Sequence, residues 1–256
     1  MECWATTRKP LLRYSINAIL HYFILDIFMA IKFSDQLFQK SWENRFLFVL
    51  VAILSFLILS PLLNNFFGLS SLLNIFLTVI FISAIYAVSQ KRHYLLIGTL
   101  LVLPMLLDTW TRHLLVSPAL SFIGTCSGIL FFAFLVITIV SFVFKQTRVT
   151  LNVINASIVV YLLVAIMWAF LFILVEKVQP GSFSIVESQG EGITFHFFYY
   201  SFVTITTLGY GDITPKTEIA RSLALLEALI GQIYLVVLVA RLVGIHIAQS
   251  MSERRP

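Results

Sequence analysis

The sequence has few charged residues and almost no cysteine. Only 11% of its 256 residues are charged, whereas 59% are hydrophobic and 24 are Phe. An average globular chain is roughly 25% charged. The two cysteines, Cys3 and Cys126, are far apart and accompany no histidine cluster, which argues against a structural zinc site. With a mean hydropathy of +0.97, the chain is predicted to be an integral membrane protein. A secreted disulfide scaffold, a disordered chain and a cytosolic enzyme are excluded.

The net charge of +5 is small for this length and does not indicate a nucleic-acid partner. Thirteen of the Lys and Arg residues fall on the side of the predicted helices that holds both termini, and four fall on the other. Positive charge concentrates in cytoplasmic loops. We therefore expect a multi-pass protein of the cell membrane, in contact with lipid, with both termini in the cytoplasm.

Six apolar segments are candidates for transmembrane helices, each of which needs about 20 residues to cross the hydrocarbon core. The third is short and contains Pro104, and only residues 64–68 separate the first two. The predicted fold class is all-α integral membrane. The six segments are Phe46–Leu63, Leu69–Val88, Tyr94–Leu107, about Ala119–Phe144, about Ala156–Val175 and about Ile219–His246.

The polar stretch near residue 150 divides the chain. The first 44 residues form a cytoplasmic segment in which Ile16–Ile31 predicts either an amphipathic helix on the inner leaflet or an upstream extension before a true start at Met29. The remaining predicted parts are a four-helix transmembrane region (45–144), a cytoplasmic linker (145–154), a domain of two helices around a loop (155–248) and a short cytoplasmic tail (249–256).

The loop between the fifth and sixth helices contains an apolar segment that is too short to cross. Ile193–Thr206 has 14 residues, and a helix of that length rises about 21 Å against a core of about 30 Å. Gly209 and Gly211 then interrupt any helix. Because Lys216 is charged, the chain is expected to be outside the membrane again at that point. Irregular backbone at membrane depth persists only when it is buried in protein or lines water. The sequence therefore predicts a re-entrant helix followed by an extended strand beside a polar path.

This arrangement permits cation coordination by backbone carbonyls. Gly209 and Gly211 can adopt positive φ without steric cost, so successive carbonyls can turn the same way. One such strand supplies a quarter of a cage of oxygens. The single loop in this chain therefore predicts four copies around one axis.

The residues Thr204–Asp212, T-I-T-T-L-G-Y-G-D, resemble the signature of tetrameric potassium channels, and the resemblance extends from the fifth helix to the end of the sixth. It implies a homotetrameric, K⁺-selective pore with a selectivity filter, with K⁺ as the permeant ion and no cofactor. The Thr207 hydroxyl would form the innermost site. The ion-binding residues would be Thr207, Leu208, Gly209, Tyr210 and Gly211, the first four binding K⁺ through their carbonyls.

The resemblance also implies residues that support the filter. Tyr210 would be braced by Tyr199 and Tyr200, although plain packing of those two remains an alternative. Some relatives carry an acidic side chain where this sequence has Val203, so a carboxylate brace to Asp212 is not expected. The predicted support residues are Tyr199, Tyr200, Val203, Thr206 and Asp212.

The sixth helix would line the cavity and carry the gate. Gly231 is either a hinge or a site of close helix contact. One face of the helix, formed by Gln232, Leu235, Val239 and Val243, would line the cavity. For the intramembrane carboxylate of Glu227 we expect a structural hydrogen bond to the short helix or to a neighbouring subunit, with a role in conduction as the alternative.

The fourth segment departs from voltage-gated relatives. A voltage sensor needs several Arg or Lys residues at every third position, and Ala119–Phe144 contains none. Instead Gly124 and Gly128 predict close helix packing. Steep voltage gating is not expected, and any regulatory ligand or subunit would act on the membrane helices, the N-terminal segment or a separate partner.

Two other functions remain as alternatives, and a third is considered and not supported. A weakly selective cation channel shares the G-Y-G core. A scaffold subunit of a potassium transport system would usually have four such loops in a chain rather than one. An intramembrane enzyme is not supported, because no Ser/His, paired-Asp or H-E-x-x-H constellation is present.

Overall fold

A computed structural model of the chain describes residues 45–67, 69–88, 92–111, 117–185 and 193–253. The N-terminal segment 1–44, including the predicted amphipathic helix at Ile16–Ile31, lies outside the described residues. So do residues 254–256 of the predicted cytoplasmic tail.

The described residues form seven helices and two short strands. The strands have three residues each, so the described part of the chain is almost entirely helical. In chain order the elements are α1 (Arg45–Phe67), α2 (Leu69–Val88), α3 (Arg92–Thr111), α4 (Pro118–Lys145), α5 (Leu151–Val178), β1 (Phe183–Ile185), α6 (Ile193–Ile205), β2 (Ile213–Pro215) and α7 (Glu218–Glu253).

Among the described residues, four helices are long and apolar enough to cross a membrane, namely α3, α4, α5 and α7. Helix α1 contributes a shorter apolar stretch, Arg45–Leu59. The chain is thus an α-helical membrane protein.

Several predicted helix boundaries were wrong, in each case because the helix is longer than its apolar core. The third helix occupies Arg92–Thr111 rather than Tyr94–Leu107. Its last turn contains Thr109, whose hydroxyl donates to the Met105 carbonyl (2.7 Å) instead of remaining unpaired. Helix α1 extends to Phe67, so residues 64–67 of the predicted connection between the first two helices are helical.

The predicted linker 145–154 is also shorter in the structure. Helix α5 begins at Leu151 rather than near Ala156, because the hydroxyl of Thr150 accepts a hydrogen bond from the Val153 amide and caps the helix. At the other end of the chain, α7 continues to Glu253 instead of ending near His246.

Helix α5 is the centre of the packing and contacts α1, α4, α6 and α7. In its apolar stretch 61% of positions are buried, against 17% in α7. The buried side chains are almost all apolar, so the helices associate through close packing of hydrophobic side chains.

Helix α4 approaches its neighbours closely at two glycines. A Cβ on Gly124 would lie 2.6 Å from the Cβ of Asp108, and one on Gly128 would lie 2.9 Å from the Met105 sulfur. These distances leave no room for a larger residue. The close helix packing predicted for this glycine pair is confirmed.

We expect Phe132→Ala to destabilise the protein by about 3–5 kcal/mol, because it removes a fully buried ring and leaves a cavity. The Phe132 ring is fully buried and contacts the rings of Phe81, Phe131 and Phe170. Thermal unfolding in detergent measures the effect. Phe122→Ala, on the same helix at a position 45% exposed, is the control. Equal melting temperatures for the two variants would contradict this account of the core.

A two-stranded antiparallel sheet brings together the chain before α6 and the chain after it. Phe183 pairs with Pro215, Ser184 with Thr214 and Ile185 with Ile213. The Glu176 carboxylate at the end of α5 accepts hydrogen bonds from the amides of Gly181 (2.7 Å) and Phe183 (3.2 Å) and holds β1 in place. The segment between the two strands therefore leaves and returns at the same place.

Candidate functional site

Helix α6 is held by aromatic packing. Its 13 residues rise about 20 Å, less than the membrane core. Phe197 and Tyr200 point away from solvent and meet the rings of Phe183 and Phe172 edge to face, with centroids 5.0–5.4 Å apart. Since Phe172 belongs to α5 and Phe183 to β1, these contacts fix the position of α6 along α5 and relative to β1.

The backbone after α6 alternates in handedness. Thr207, Gly209 and Gly211 have φ of 60°, 56° and 80°, whereas Leu208 and Tyr210 do not have positive φ. A Cβ on Gly209 or Gly211 would meet nothing within 4 Å. Glycine is therefore needed there for its φ and not for space. Alternation of this kind turns successive carbonyls to one side, as the sequence predicts.

The positive φ of Thr207 could not be anticipated from the sequence. A threonine in this conformation costs of order 1–3 kcal/mol and persists only when its surroundings enforce it. Its amide donates to the Thr204 carbonyl (3.0 Å) and its hydroxyl to the Thr206 carbonyl (2.7 Å). The hydroxyl oxygen has used its one proton, so it is left with lone pairs that can only accept or bind a cation.

The amides that follow point back at the end of α6. Those of Leu208 (3.0 Å) and Gly209 (3.3 Å) both donate to the carbonyl of Val203. Thr206 caps the same end, with its hydroxyl on the Phe202 carbonyl (2.6 Å). The predicted support residues Val203 and Thr206 thus contact this segment, but Val203 does so through its backbone oxygen. The amides of residues 207–209 are thus all directed at carbonyls near the end of α6.

Tyr199 and Asp212 are joined across the outer end of the segment. The Tyr199 hydroxyl donates to Asp212 Oδ2 (2.7 Å), and the Ile213 amide donates to Oδ1 (3.1 Å). The hydrogen bond from Tyr199 holds the pKa of the Asp212 carboxyl below its ordinary value. A carboxylate at position 203 was not expected to brace Asp212. The partner of Asp212 is instead the phenol of Tyr199.

Tyr199→Phe should raise the pKa of Asp212 towards its ordinary value of 3.8, because the largest contribution that lowers it is removed. Carbon-13 NMR of the labelled carboxyl measures the titration. Folding lowers the pKa of Asp212. The hydrogen bond therefore stabilises the folded protein at pH values above the pKa that Asp212 has in the unfolded chain. This stabilisation is lost as the pH falls through the pKa of Asp212 in the folded chain. Tyr210→Phe is the control and should leave the titration unchanged. An unchanged pKa in Tyr199→Phe would refute the assignment.

The three tyrosines near the segment differ in their surroundings. Tyr200 is buried against Phe172 and Phe183. The Tyr210 side chain is 66% exposed, and no ring contact joins it to Tyr199 or Tyr200 in the described part of a single chain. Bracing of Tyr210 by these two residues therefore stays a prediction.

The contact between α7 and α6 explains Gly231. A Cβ at this position would lie 2.6 Å from Ile205 Cγ1 and 2.9 Å from the Ile205 carbonyl oxygen. The Tyr161 hydroxyl on α5 donates to the same carbonyl (2.9 Å). That carbonyl is at the C-terminal end of α6, where no helical partner is available. Gly231 makes the close helix contact that was one of its two interpretations, and a hinge stays a prediction. Tyr161 is a contact that the sequence analysis missed.

Gly231→Ala should destabilise the protein by about 1–3 kcal/mol, because the added methyl group meets a backbone oxygen that cannot move aside. Gly244→Ala on the same helix, where a Cβ would meet nothing within 4 Å, should be neutral or slightly stabilising. Thermal unfolding of the two purified variants measures the difference. A hinge without close contact predicts no difference between them.

Glu227 makes the contact predicted for it with α6. It is fully buried, and its Oε1 atom is hydrogen-bonded to the hydroxyl of Ser201 on α6. The same hydroxyl lies 2.6 Å from the Ala165 carbonyl oxygen on α5. The Ser201 hydroxyl thus connects α6 with both α5 and α7.

Helix α7 presents a long apolar face that is exposed in the described part of a single chain. Of the predicted cavity residues, Gln232, Val239 and Val243 are exposed, whereas Leu235 is partly buried. Ile233 and Val236, also on α7, are exposed as well. The residues that lie against α5 and α6 form the opposite face.

The C-terminal part of α7 is attached to the end of α4 and to the residue that follows it. The Arg241 guanidinium donates to the carbonyls of Phe144 and Gln146 and lies 4.5 Å from the centroid of the Phe144 ring. Further along, Gln249 accepts a hydrogen bond from the Val149 amide (3.4 Å). These contacts connect the end of α7 to the four-helix region.

Residues 150–246 match the model of a family described as ion channel. The match begins at the N-cap of α5 and ends within α7, so it contains the outer sheet, α6 and the segment 206–212. No curated protein and no solved structure matches the chain. The alternating backbone between α6 and β2, within a helical membrane protein, agrees with this match and supports an ion channel rather than an enzyme.

Proposed function

We propose that the protein is a K⁺-selective channel that conducts K⁺ passively across the cell membrane through a filter at Thr207–Gly211. The observation that carries this proposal is the alternation of φ along these residues, with glycine at two of the three positive positions. The amides of Thr207, Leu208 and Gly209 donate to carbonyls of α6, and the carbonyl oxygens of the segment would be available to a dehydrated monovalent cation. A cage of neutral oxygens binds such an ion and also releases it.

A re-entrant path for α6 is the second part of the proposal. The antiparallel pairing of β1 with β2 supports it, because the chain enters and leaves the segment at one place. With α1–α5 and α7 as six transmembrane helices, both ends of the described chain lie on the cytoplasmic side, where most of the Lys and Arg residues are found.

The channel is proposed to be a homotetramer. A single chain supplies one row of carbonyls, and Leu208 and Tyr210 are 55% and 66% exposed in it. The apolar face of α7 is largely uncovered as well. Four copies around one axis would cover part of that face and complete the oxygen cage, with Gln232 as a polar ring in the cavity.

Voltage is not proposed as the main stimulus. Helix α4 contains no basic residue before Lys145 at its end, and each charge moved across the membrane contributes only about 2.3 kcal/mol per 100 mV. The open probability should therefore depend weakly on membrane potential.

The test is the reversal potential of the purified full chain in a planar bilayer under opposed K⁺ and Na⁺ gradients. A selective filter places it near the K⁺ equilibrium potential. Gly209→Ala should move it towards zero, because an L-residue is strained at a φ of 56° and displaces the carbonyls. Gly181→Ala is the matched control, with similar strain (φ 82°) outside the filter, and should keep the selectivity of the unmodified chain.

Each outcome separates the alternatives. A reversal potential near zero for the unmodified chain would identify a weakly selective cation channel. Equal loss of selectivity in Gly209→Ala and Gly181→Ala would show that both substitutions act by destabilising the protein and that the effect is not specific to the filter. No current from the unmodified chain, together with K⁺ uptake only alongside another protein, would indicate a subunit of a transport system.

A further inference from the structure

We propose that Glu227 carries a proton in the folded protein and that this neutral acid is a positioning residue, which holds α6 in register with α5 and α7. The protonation does not depend on the selectivity of the pore. The positioning role rests on the proposed function, and the two parts are tested separately.

The proton count at Ser201 is the first argument. A serine hydroxyl has one proton, yet the Ser201 oxygen lies within hydrogen-bond distance of both the Ala165 carbonyl oxygen (2.6 Å) and Glu227 Oε1. The Ala165 carbonyl can only accept. If Ser201 donates to Ala165, Glu227 must donate to Ser201, which requires a protonated carboxyl. If Ser201 instead donates to Glu227, two oxygens face each other at 2.6 Å with no hydrogen between them.

The surroundings of Glu227 are the second argument. Its side chain is fully buried, and in the described residues no ion pair involves it and its Oε2 atom has no hydrogen-bond partner. An ionised carboxylate in that position would be far more costly than the acid. The titratable groups that interact with it electrostatically are Tyr161 on α5 and Tyr200 on α6. Both are neutral phenols at neutral pH and supply no counter-charge.

The position of this cluster connects it to the filter. Ser201 lies on α6 six residues before Thr207. Glu227 attaches it to α7, and the Ala165 carbonyl attaches it to α5. Slippage of α6 along either helix would therefore break a hydrogen bond in an apolar environment, where no water replaces it. The cluster consequently sets the depth at which residues 207–211 begin.

Infrared spectroscopy of the purified full chain at neutral pH tests the protonation. The difference spectrum between the unmodified chain and Glu227→Gln should show loss of the carbonyl stretch of a protonated carboxylic acid. Glu218→Gln is the matched control on the same helix, because Glu218 is 90% exposed and pairs with Arg221 (3.3 Å). That variant should lose carboxylate bands only. Loss of carboxylate bands alone in Glu227→Gln would overturn the proposal.

Ion selectivity tests the positioning role. Glu227→Gln keeps a neutral group that can donate to Ser201, so its K⁺ over Na⁺ permeability ratio should stay within about twofold of the unmodified chain. Glu227→Leu has similar volume but no donor, and the ratio should fall by about tenfold or more, as expected for a lost buried hydrogen bond. Equal ratios in the Gln and Leu variants would show that Glu227 only fills space.

The infrared result stands even if Glu227→Leu does not fold, because it uses the Gln variant alone. A protonated-acid band together with an unselective unmodified chain would overturn the proposed K⁺ selectivity but not the protonation of Glu227.

Discussion

The structure of this chain depends on one constraint, which is that backbone amides and carbonyls at membrane depth must have partners. The segment after α6 meets this constraint on one side only. The Val203 carbonyl accepts two amides, and Thr206 and Thr207 use their hydroxyl protons on neighbouring carbonyls. These bonds direct the donors at the start of the segment towards α6. In the proposed channel, the carbonyls of the same segment would bind the cation.

The rest of the pore domain maintains this unusual backbone. Because Thr207 is strained, the end of α6 must be fixed from several directions. Aromatic rings hold its outer side, Tyr161 and Gly231 meet the Ile205 carbonyl, and Glu227 reaches Ser201 midway along the helix. These contacts come from α5 and α7, which are themselves packed together. Rigid helices thus position a segment that has little regular structure of its own.

The sequence predicted the parts that depend on composition and on local residue type. The length of the apolar segments predicted the helices. Gly209 and Gly211 predicted the positive φ angles after α6. The ends of helices were less predictable, since polar residues such as Thr150 cap them by hydrogen bonds that hydropathy does not register. The Tyr199–Asp212 pair was also missed, because both residues were assigned other roles through the resemblance and their contact spans 13 positions.

Two of the missed contacts had a signal in the sequence. Tyr161 and Ser201 are polar residues within apolar helices, and a polar group in a membrane helix needs a partner. The sequence does not say which partner, because that depends on the rotation of each helix about its axis. The same limit applies to Gly231, whose close approach to Ile205 the sequence does not reveal.

The attachment of Arg241 has a consequence for how the two parts of the chain affect each other. The Phe144 and Gln146 carbonyls lie at the C-terminal end of α4, where the helix dipole favours a positive charge. Separation of α7 from α4 removes that charge and leaves the carbonyls to water. The free energy of this separation is shared by both helices, so thermodynamic linkage makes its effects reciprocal. A shift of α4 away from Arg241 would therefore act on the C-terminal part of α7, and a shift of α7 would act on α4.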